Sequence, residues 1–280
     1  MTQQPHSTNG PLSTILVTGG TGKTGRRVAR LLEDRGLPVR IGSRSAAERP
    51  FDWEDPGTWG PALDGVGAVY LAYAPDLGFP GAAETVGAFA KAAVATGARR
   101  LVLLSGRGEE GAVAGEEAVK AAGGDWTVLR AAWFHQNFDE SFFHGPVLAG
   151  ELALPFAGAL EPFVDAGDIA EAAVAALTDD RHTGRTYELT GPRLLGFEDV
   201  ARELTSALGR SVAFRWVSHD AYRAELAAQQ LPVELADLFA LVLDGRNARL
   251  GNDLPEILGR PARDFADYAR DAAAAGAWRH

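Results

Sequence analysis

The sequence predicts an α/β protein, a doubly wound parallel sheet of Rossmann type with a smaller C-terminal α/β lobe. Three observations predict it. Apolar runs of strand length alternate with helical patterns through the first half of the chain. A glycine triplet falls directly between the first such run and the first helical pattern, and after Arg130 the alternation loosens. Regular βαβ alternation implies parallel strands joined by right-handed crossovers, with helices on both faces.

Residues 1–13 are polar, with neither the basic start nor the apolar run of a secretory signal, so they are expected to be a disordered lead. Residues 14–18 (TILVT) read as a strand. The Gly-rich turn then feeds a helix through Arg35, with Val28, Leu31 and Leu32 facing inward and Gly36 as its stop. Residues 39–43 and 68–72 (AVYLA) are the next strands, and 82–96 is a helix closed by Gly97. Residues 100–105 (RLVLLS) form a strand, 116–122 a helix stopped by Gly123-Gly124, and 126–130 (WTVLR) another strand. Aromatic residues cluster in 133–143, and 168–177 is an Ala-rich helix with Asp165 and Asp168 as N-cap candidates. A strand at 187–190 (YELT) and helices at 197–208 and through much of 221–243 follow. This divides the chain into a dinucleotide-binding domain at 14–135 and a smaller substrate-binding lobe at 136–280, interleaved with that core.

Composition narrows the function. The 280 residues are 46% hydrophobic and 23% charged, enough for a sizeable core. A formal net charge of −10 argues against general nucleic-acid binding and against anionic membranes, both of which call for basic surfaces. The absence of cysteine excludes disulfides, thiolate metal sites and cysteine nucleophiles, and the six histidines lack ligand spacing, so no metal is expected. No apolar stretch approaches the roughly 20 residues that span a bilayer. The chain reads as a cytoplasmic enzyme, monomeric or homodimeric, acting on a small molecule.

The nucleotide site is the strongest motif. Gly19, Gly22 and Gly25, with Thr21, Lys23 and Thr24 between them, join a strand to a helix near the N-terminus. Glycines there permit a tight turn and close backbone approach to a pyrophosphate, and the helix N-terminus supplies unpaired N–H groups. A P-loop would need glycine five residues before Gly22, where Val17 stands inside the strand. At the end of the second strand an acid would favour NAD by binding the adenosine ribose hydroxyls. Ser43 and Arg44 stand there instead and suit a 2′-phosphate, which points to NADP(H); a solvated surface arginine is the plain alternative.

What the chain lacks is equally informative. Its five tyrosines, Tyr70, Tyr73, Tyr187, Tyr222 and Tyr268, are followed four positions on by Ala74, Leu77, Gly191, Leu226 and Ala272. No Tyr-x-x-x-Lys pair exists to protonate an alkoxide. Glu116 and Lys120 keep the four-residue spacing, and a solvated ion pair on a helix face is the expected reading.

These residues resemble the NmrA-like branch of the atypical short-chain dehydrogenases, and within it the festuclavine synthase/agroclavine dehydrogenase family of ergot alkaloid pathways. The similar stretches are 15–25 (ILVTGGTGKTG), Ser43-Arg44-Ser45, Phe51-Asp52-Trp53 with Thr58-Trp59, 69–75 (VYLAYAP) and 101–105 (LVLLS). They continue through 126–130 with Trp133-Phe134 and Asn137-Phe138, Pro155-Phe156, Phe163-Val164 with Asp168-Ile169-Ala170, and 189–195 (LTGPRLL). The resemblance implies NADPH-dependent reduction of the carbon–nitrogen double bond of a cyclic iminium, in secondary metabolism. The chain departs from the family at Ala131 and Gln136, where proline and glutamate are usual, so the alkaloid substrate itself does not carry over. Both changes are expected to line the substrate pocket. From about Gly245 onward nothing matches.

An iminium acceptor fits the missing tyrosine, because hydride addition to a cation leaves a neutral amine and no proton has to arrive. The candidate acceptor wall is Tyr73, Trp133, Phe134, His135, Asn137 and Phe138, whereas Phe142 and Phe143 read as core. Tyr73, Ala74 and Pro75 follow a strand and are candidates to border the cofactor. Ser105 stands where this superfamily carries its active-site serine; it is a candidate catalytic or cofactor-binding hydroxyl, or a plain strand-end serine. His135 is the candidate proton source by its residue type, with a polar rim residue as the alternative. The readings that stay open beside an imine or iminium reductase are a quinone or enone reductase, an NADP(H)-sensing regulator and a non-redox cyclase.

Overall fold

A computed structural model describes residues 13–46, 48–155, 158–231 and 233–279, so the predicted lead at 1–13 lies outside it except for Ser13. The elements in chain order are β1 (Thr14–Thr18), α1 (Gly25–Asp34), β2 (Val39–Gly42), α2 (Trp59–Leu63), β3 (Val66–Leu71), α3 (Ala82–Ala95) and β4 (Arg100–Gly106). There follow α4 (Glu110–Lys120), β5 (Asp125–Ala131), α5 (His144–Ala149), β6 (Glu151–Leu154), α6 (Ala166–Thr178), β7 (Arg185–Leu189) and α7 (Phe197–Leu208). The chain ends with β8 (Ala213–Trp216), α8 (His219–Ala228), α9 (Glu234–Val242), α10 (Asp253–Leu258) and α11 (Phe265–Ala275).

Six strands form one parallel sheet in the order β2-β1-β3-β4-β5-β7. Runs such as Ile15-Leu16-Val17 are buried on both faces, as a parallel sheet clad by helices requires. On one face α1 and α6 pack together through Val28, Leu32, Ile169 and Ala173. On the other lie α3 and α4 with Phe89, Val86 and Val119, and with Trp53 and Trp59 beside them. The strand order reverses direction at β1 and β3, so a crevice opens at their carboxyl ends.

A third core belongs to the lobe. Phe138, Phe143, Phe163, Phe197, Phe265 and Trp278 are buried there, under a two-stranded parallel ladder of β6 and β8. The apolar positions of α7, Phe197, Val200, Ala201 and Leu204, recur at helical spacing and face this core.

Residues 136–280 are shared between the lobe and the main sheet. β7 completes the main sheet beside β5, and α6 and α10 pack on its face, so only part of 136–280 forms the lobe. α4 starts six residues earlier than expected because Gly111 and Gly115 dilute its helical pattern. A side chain at Gly111 would strike the Gly78 carbonyl, and one at Gly115 would meet Leu77, so the helix needs both glycines to approach the β3 loop. The region 221–243 is two helices with a break between them, and β6 and β8 escaped notice because β8 is mostly exposed and lacks alternation. Among the described residues no helix is long and apolar enough to cross a membrane.

Candidate cofactor and acceptor site

The turn after β1 is shaped by contacts that no side chain would permit. Gly19 has φ +59° and lies 3.3 Å, measured from an ideal Cβ, from the Ala72 carbonyl beyond β3. A Cβ on Gly25 would fall on the Gly19 carbonyl and 2.9 Å from the Gly20 Cα. Gly22 N–H donates to Gly19 O at 2.8 Å, and Thr18 Oγ1 ties the turn to β3 by donating to Tyr70 O at 3.0 Å and accepting from Ala72 N–H at 2.9 Å. No side chain caps α1 and no acid stands in its first turn, so its leading amides and dipole are open to an anion.

Around this turn the charges are paired off. Arg27 Nη2 binds Glu140 Oε1 at 2.6 Å while its Nη1 donates to Lys23 O at 2.6 Å, and Arg26 also pairs with Glu140. Burial pushes the Glu140 carboxyl up, but the Arg27 hydrogen bond and charge, helped by Arg26, win and hold it below the usual range. Burial, then the charge of Arg26, lowers Lys23 against the attraction of Glu140 and Asp139. The Glu140 clasp joins positions 113 residues apart, and nothing in the sequence marks it.

Pairing of Thr18 with Gly42 sets Ser43 and Arg44 beside the turn. Ser43 Oγ lies 3.0 Å from Ser45 Oγ, and Arg44 is exposed, with no hydrogen bond or ion pair among the described residues. On the other side Tyr73 is half-buried with its ring 5.1 Å from that of Trp53, and Ala74 and Pro75 are exposed across a cis peptide bond.

Ser105 and Glu116 depart from expectation. Glu116 is fully buried, not solvated. Its Oε1 accepts Ser105 Oγ at 2.7 Å and Arg130 Nε at 2.8 Å, and its Oε2 accepts Arg130 Nη2 at 2.7 Å. Lys120 stands 3.9 Å from Glu116, binds Glu117 at 2.8 Å and lies over the Trp126 ring. The bidentate Arg130 fork and the serine hydroxyl together lock α4 to β4 and β5. The Ser105 proton is spent inside that lock.

The aromatic segment is divided between cores. Trp133 is half-buried among Phe142, Phe143, Phe197 and Phe239, and Phe134 is half-buried in a bridge to Val164. Asn137 is half-buried. Phe138 is fully buried between Phe143, Phe163 and Phe265, which removes it from any acceptor wall. His135 is fully buried too. Its Nε2 is 3.0 Å from Phe163 O, its Nδ1 is 3.6 Å from Asp165 Oδ2, and Phe265 and Tyr268 enclose the ring. A ring with no exposed atom cannot pass a proton to an acceptor in the crevice, nor form a polar rim. Gln136 is likewise buried: it donates to Asp165 Oδ2 at 2.9 Å and accepts Ala166 N–H at 2.8 Å, fastening the start of α6 that Asp165 caps.

The NAD(P)H-binding family matches residues 19–180 of the chain. Agroclavine dehydrogenase of Claviceps fusiformis is 31% identical over 92% of this chain and 96% of its own length. The NAD(P)H azoreductase of Xenophilus azovorans is 31% identical over 93% of this chain and 98% of its own. Among solved structures, the NADPH-dependent quinone oxidoreductase of Escherichia coli in complex with NADPH superimposes with a TM-score of 0.77 at 21% identity, covering 92% of this chain and 99% of that one. The chain belongs to the NAD(P)H-binding family. It is an oxidoreductase, and its cofactor is NAD(P)H.

Two acidic features of this reductase were missed. Asp76 and Glu109 follow the neighbouring strands β3 and β4, and Oδ1 of one and Oε2 of the other lie 3.2 and 3.4 Å from the same point beside Gly78. Glu109 folds back over Gly106, where a Cβ would collide with its carboxyl. Burial, then the adjacent charge and hydrogen bond of Asp76, pushes Glu109 up to about 8, and burial raises Asp76 as well. An acid just past each of two adjacent parallel strands was visible in the sequence as a pattern. Farther along, Glu161 is fully buried and pushed up to about 8 by burial, against the pull of Arg107. Arg107 itself is held by Glu188 at 2.5 Å and by Asn247 O at 2.7 Å, which brings the C-terminal segment across the ends of β4 and β7.

Proposed function

We propose that this reductase transfers hydride from NADPH to a small-molecule acceptor that already bears positive charge or can disperse the electron pair it receives, a cyclic imine or iminium first. One observation carries the reading. On α4, the helix locked to β4 and β5, the tyrosine–lysine pair of an alkoxide-protonating reductase is absent, and Glu116 is buried under Ser105 and Arg130. A ketone would leave negative charge on oxygen without the lysine-paired phenol that usually meets it. An iminium carbon accepts the hydride, its π electrons pass to nitrogen, and a neutral amine results with no proton transferred. Bound NADPH supplies the hydride.

The amides of the Gly19–Gly25 turn would hold its pyrophosphate, and Ser43 and Arg44 would hold the 2′-phosphate. Tyr73, Ala74 and Pro75 would border the cofactor, and Trp133, Phe134 and Asn137 would contribute to the acceptor wall. The protein's task is then positioning and exclusion of water. Half-buried rings also favour a flat cation, by on the order of 0.5–2 kcal/mol each. Similarity to agroclavine dehydrogenase supports an imine or iminium acceptor. Similarity to an azoreductase, with the Asp76–Glu109 pair, supports a second reading in which the acceptor is neutral and conjugated.

The test is to titrate NADPH by fluorescence and then follow loss of the reduced-nicotinamide absorbance with cyclic imines, quinones and enones. Oxidation by a cyclic imine is the expected result. Binding of NADPH with no oxidation by any acceptor overturns the reading in favour of a sensor or a cyclase.

A further inference from the structure

We propose that Glu109, held in place by Asp76, is the acid that donates a proton to neutral conjugated acceptors in this site. The proposal rests on the reductase reading above and extends its acceptors from cations to quinone-, enone- or azo-type molecules.

The argument begins with position. β3 and β4 are adjacent and parallel, pairing Ala68 with Arg100 through Leu71 with Leu103, so their exit loops lie side by side at the carboxyl edge. β3 also borders β1, where the glycine turn touches Ala72. Asp76 directly follows Tyr73-Ala74-Pro75, and Glu109 follows Ser105 by four residues. The two carboxyls thus stand on the loops that flank the crevice where a doubly wound sheet receives its ligand.

Charge comes next. Two half-buried carboxyls that converge beside Gly78 repel each other when both are ionised, so the pair favours keeping a proton unless a cation neutralises it. None does among the described residues. Asp76 Oδ1 accepts only the Gly78 N–H, at 2.8 Å. Of the charged groups around the pair, Glu110 on the same helix is exposed. Arg246, from the C-terminal segment, binds Gly108 O at 3.1 Å and chelates Asp244. Arg107, between Gly106 and Gly108, turns away to Glu188 and Asn247. The proton is the pair's own, in a chain that has no Tyr-x-x-x-Lys pair to offer one.

The step balances. Hydride forms a C–H bond at a quinone or enone carbon, or an N–H bond at an azo nitrogen, NADPH becomes NADP⁺, and the conjugated electrons move to the oxygen or nitrogen at the far end. That atom takes the Glu109 O–H proton, and the carboxylate pair regains a proton from water. A cationic iminium skips the proton transfer. Because burial and Asp76 keep Glu109 protonated up to about 8, the acid is available at lower pH and lost above it.

The experiment compares kcat/KM of the wild-type protein, with NADPH, for a benzoquinone and for an N-methyl cyclic iminium salt between about pH 6 and 9. The quinone rate should hold at low pH and fall above about 8, approaching tenfold per pH unit, while the iminium rate shows no such fall. Glu109→Gln should lower the quinone rate by about 10²–10⁴ and remove its pH limb, and Glu109→Asp, which keeps an acid, should restore part of both. NADPH fluorescence titration of each variant reports that the site is folded. A quinone rate that is flat in pH, or unchanged in Glu109→Gln, overturns the proposal and leaves the reductase reading standing. No NADPH oxidation by wild type with either acceptor overturns both.

Discussion

The turn after β1 and the segment after β5 stand on the same edge of one sheet, yet they are built by opposite means. The turn is backbone brought so close that side chains are excluded at Gly19, Gly20 and Gly25. The segment is side chain throughout, and each ring takes its role from whatever distant part of the chain packs on it. Phe265 and Tyr268 from α11, and Trp278 from just beyond it, enclose His135 and Phe138, while Phe239 arrives from α9 and leaves Trp133 half-buried. A site made of backbone obeys local rules, and one made of rings between two cores does not.

The sharpest way to break that contrast is Phe138→Ala. If Phe138 is core, emptying its place should cost about 3–5 kcal/mol of unfolding free energy in urea. NADPH affinity of the folded protein should be retained. A raised KM for the acceptor with little loss of stability would return Phe138 to the acceptor wall. Trp133→Ala is the companion variant, expected to cost less stability and to raise that KM.

The turn offers the next largest effect. Gly25→Ala places a methyl on the Gly19 carbonyl, so backbone must move, and NADPH affinity should fall by about a hundredfold, some 2.7 kcal/mol. Gly36→Ala is the control. Gly36 also has positive φ, +70°, but open space around it, so it should lose about 1–2 kcal/mol of stability and no affinity. Equal losses of affinity in the two variants would show that strain, and not close approach, explains the turn.

The same contrast explains what could be read in advance. β1, α1, β3, β4 and α7 were legible because their apolar periods and stops are local, and Asp165 proved to be the N-cap that its position suggested. Glu116 was misread because its burial depends on Arg130 from the next strand, and no helix-surface rule anticipates a partner on a different element. The Glu140 clasp on Arg26 and Arg27 joins positions 113 residues apart, and the burial of His135 depends on Phe265 and Tyr268 from near the chain end, so both lay beyond any local pattern.

Arg44→Ala gives a smaller, selective effect. Arg44 is exposed and unengaged beside the turn, so removing it leaves the fold intact. A charge-assisted contact with a 2′-phosphate is worth about 1.5–3 kcal/mol, so NADPH should weaken by roughly tenfold to a hundredfold while NADH changes little. Equal weakening of both cofactors would remove Arg44 from the phosphate.

The smallest effect separates lock from catalyst. In Ser105→Ala, Glu116 keeps both bonds from Arg130 and loses only a hydroxyl donor, so the expected cost is about 0.5–1.5 kcal/mol of stability. If the Ser105 proton is committed to Glu116, kcat should stay within about twofold of wild type, whatever the acceptor. A hydroxyl that instead turns to the cofactor or acceptor during turnover would make kcat fall by about tenfold or more while stability barely changed, since one such bond is worth on the order of 1 kcal/mol. The ratio of the two losses decides whether the strand-end serine belongs to the sheet or to the chemistry.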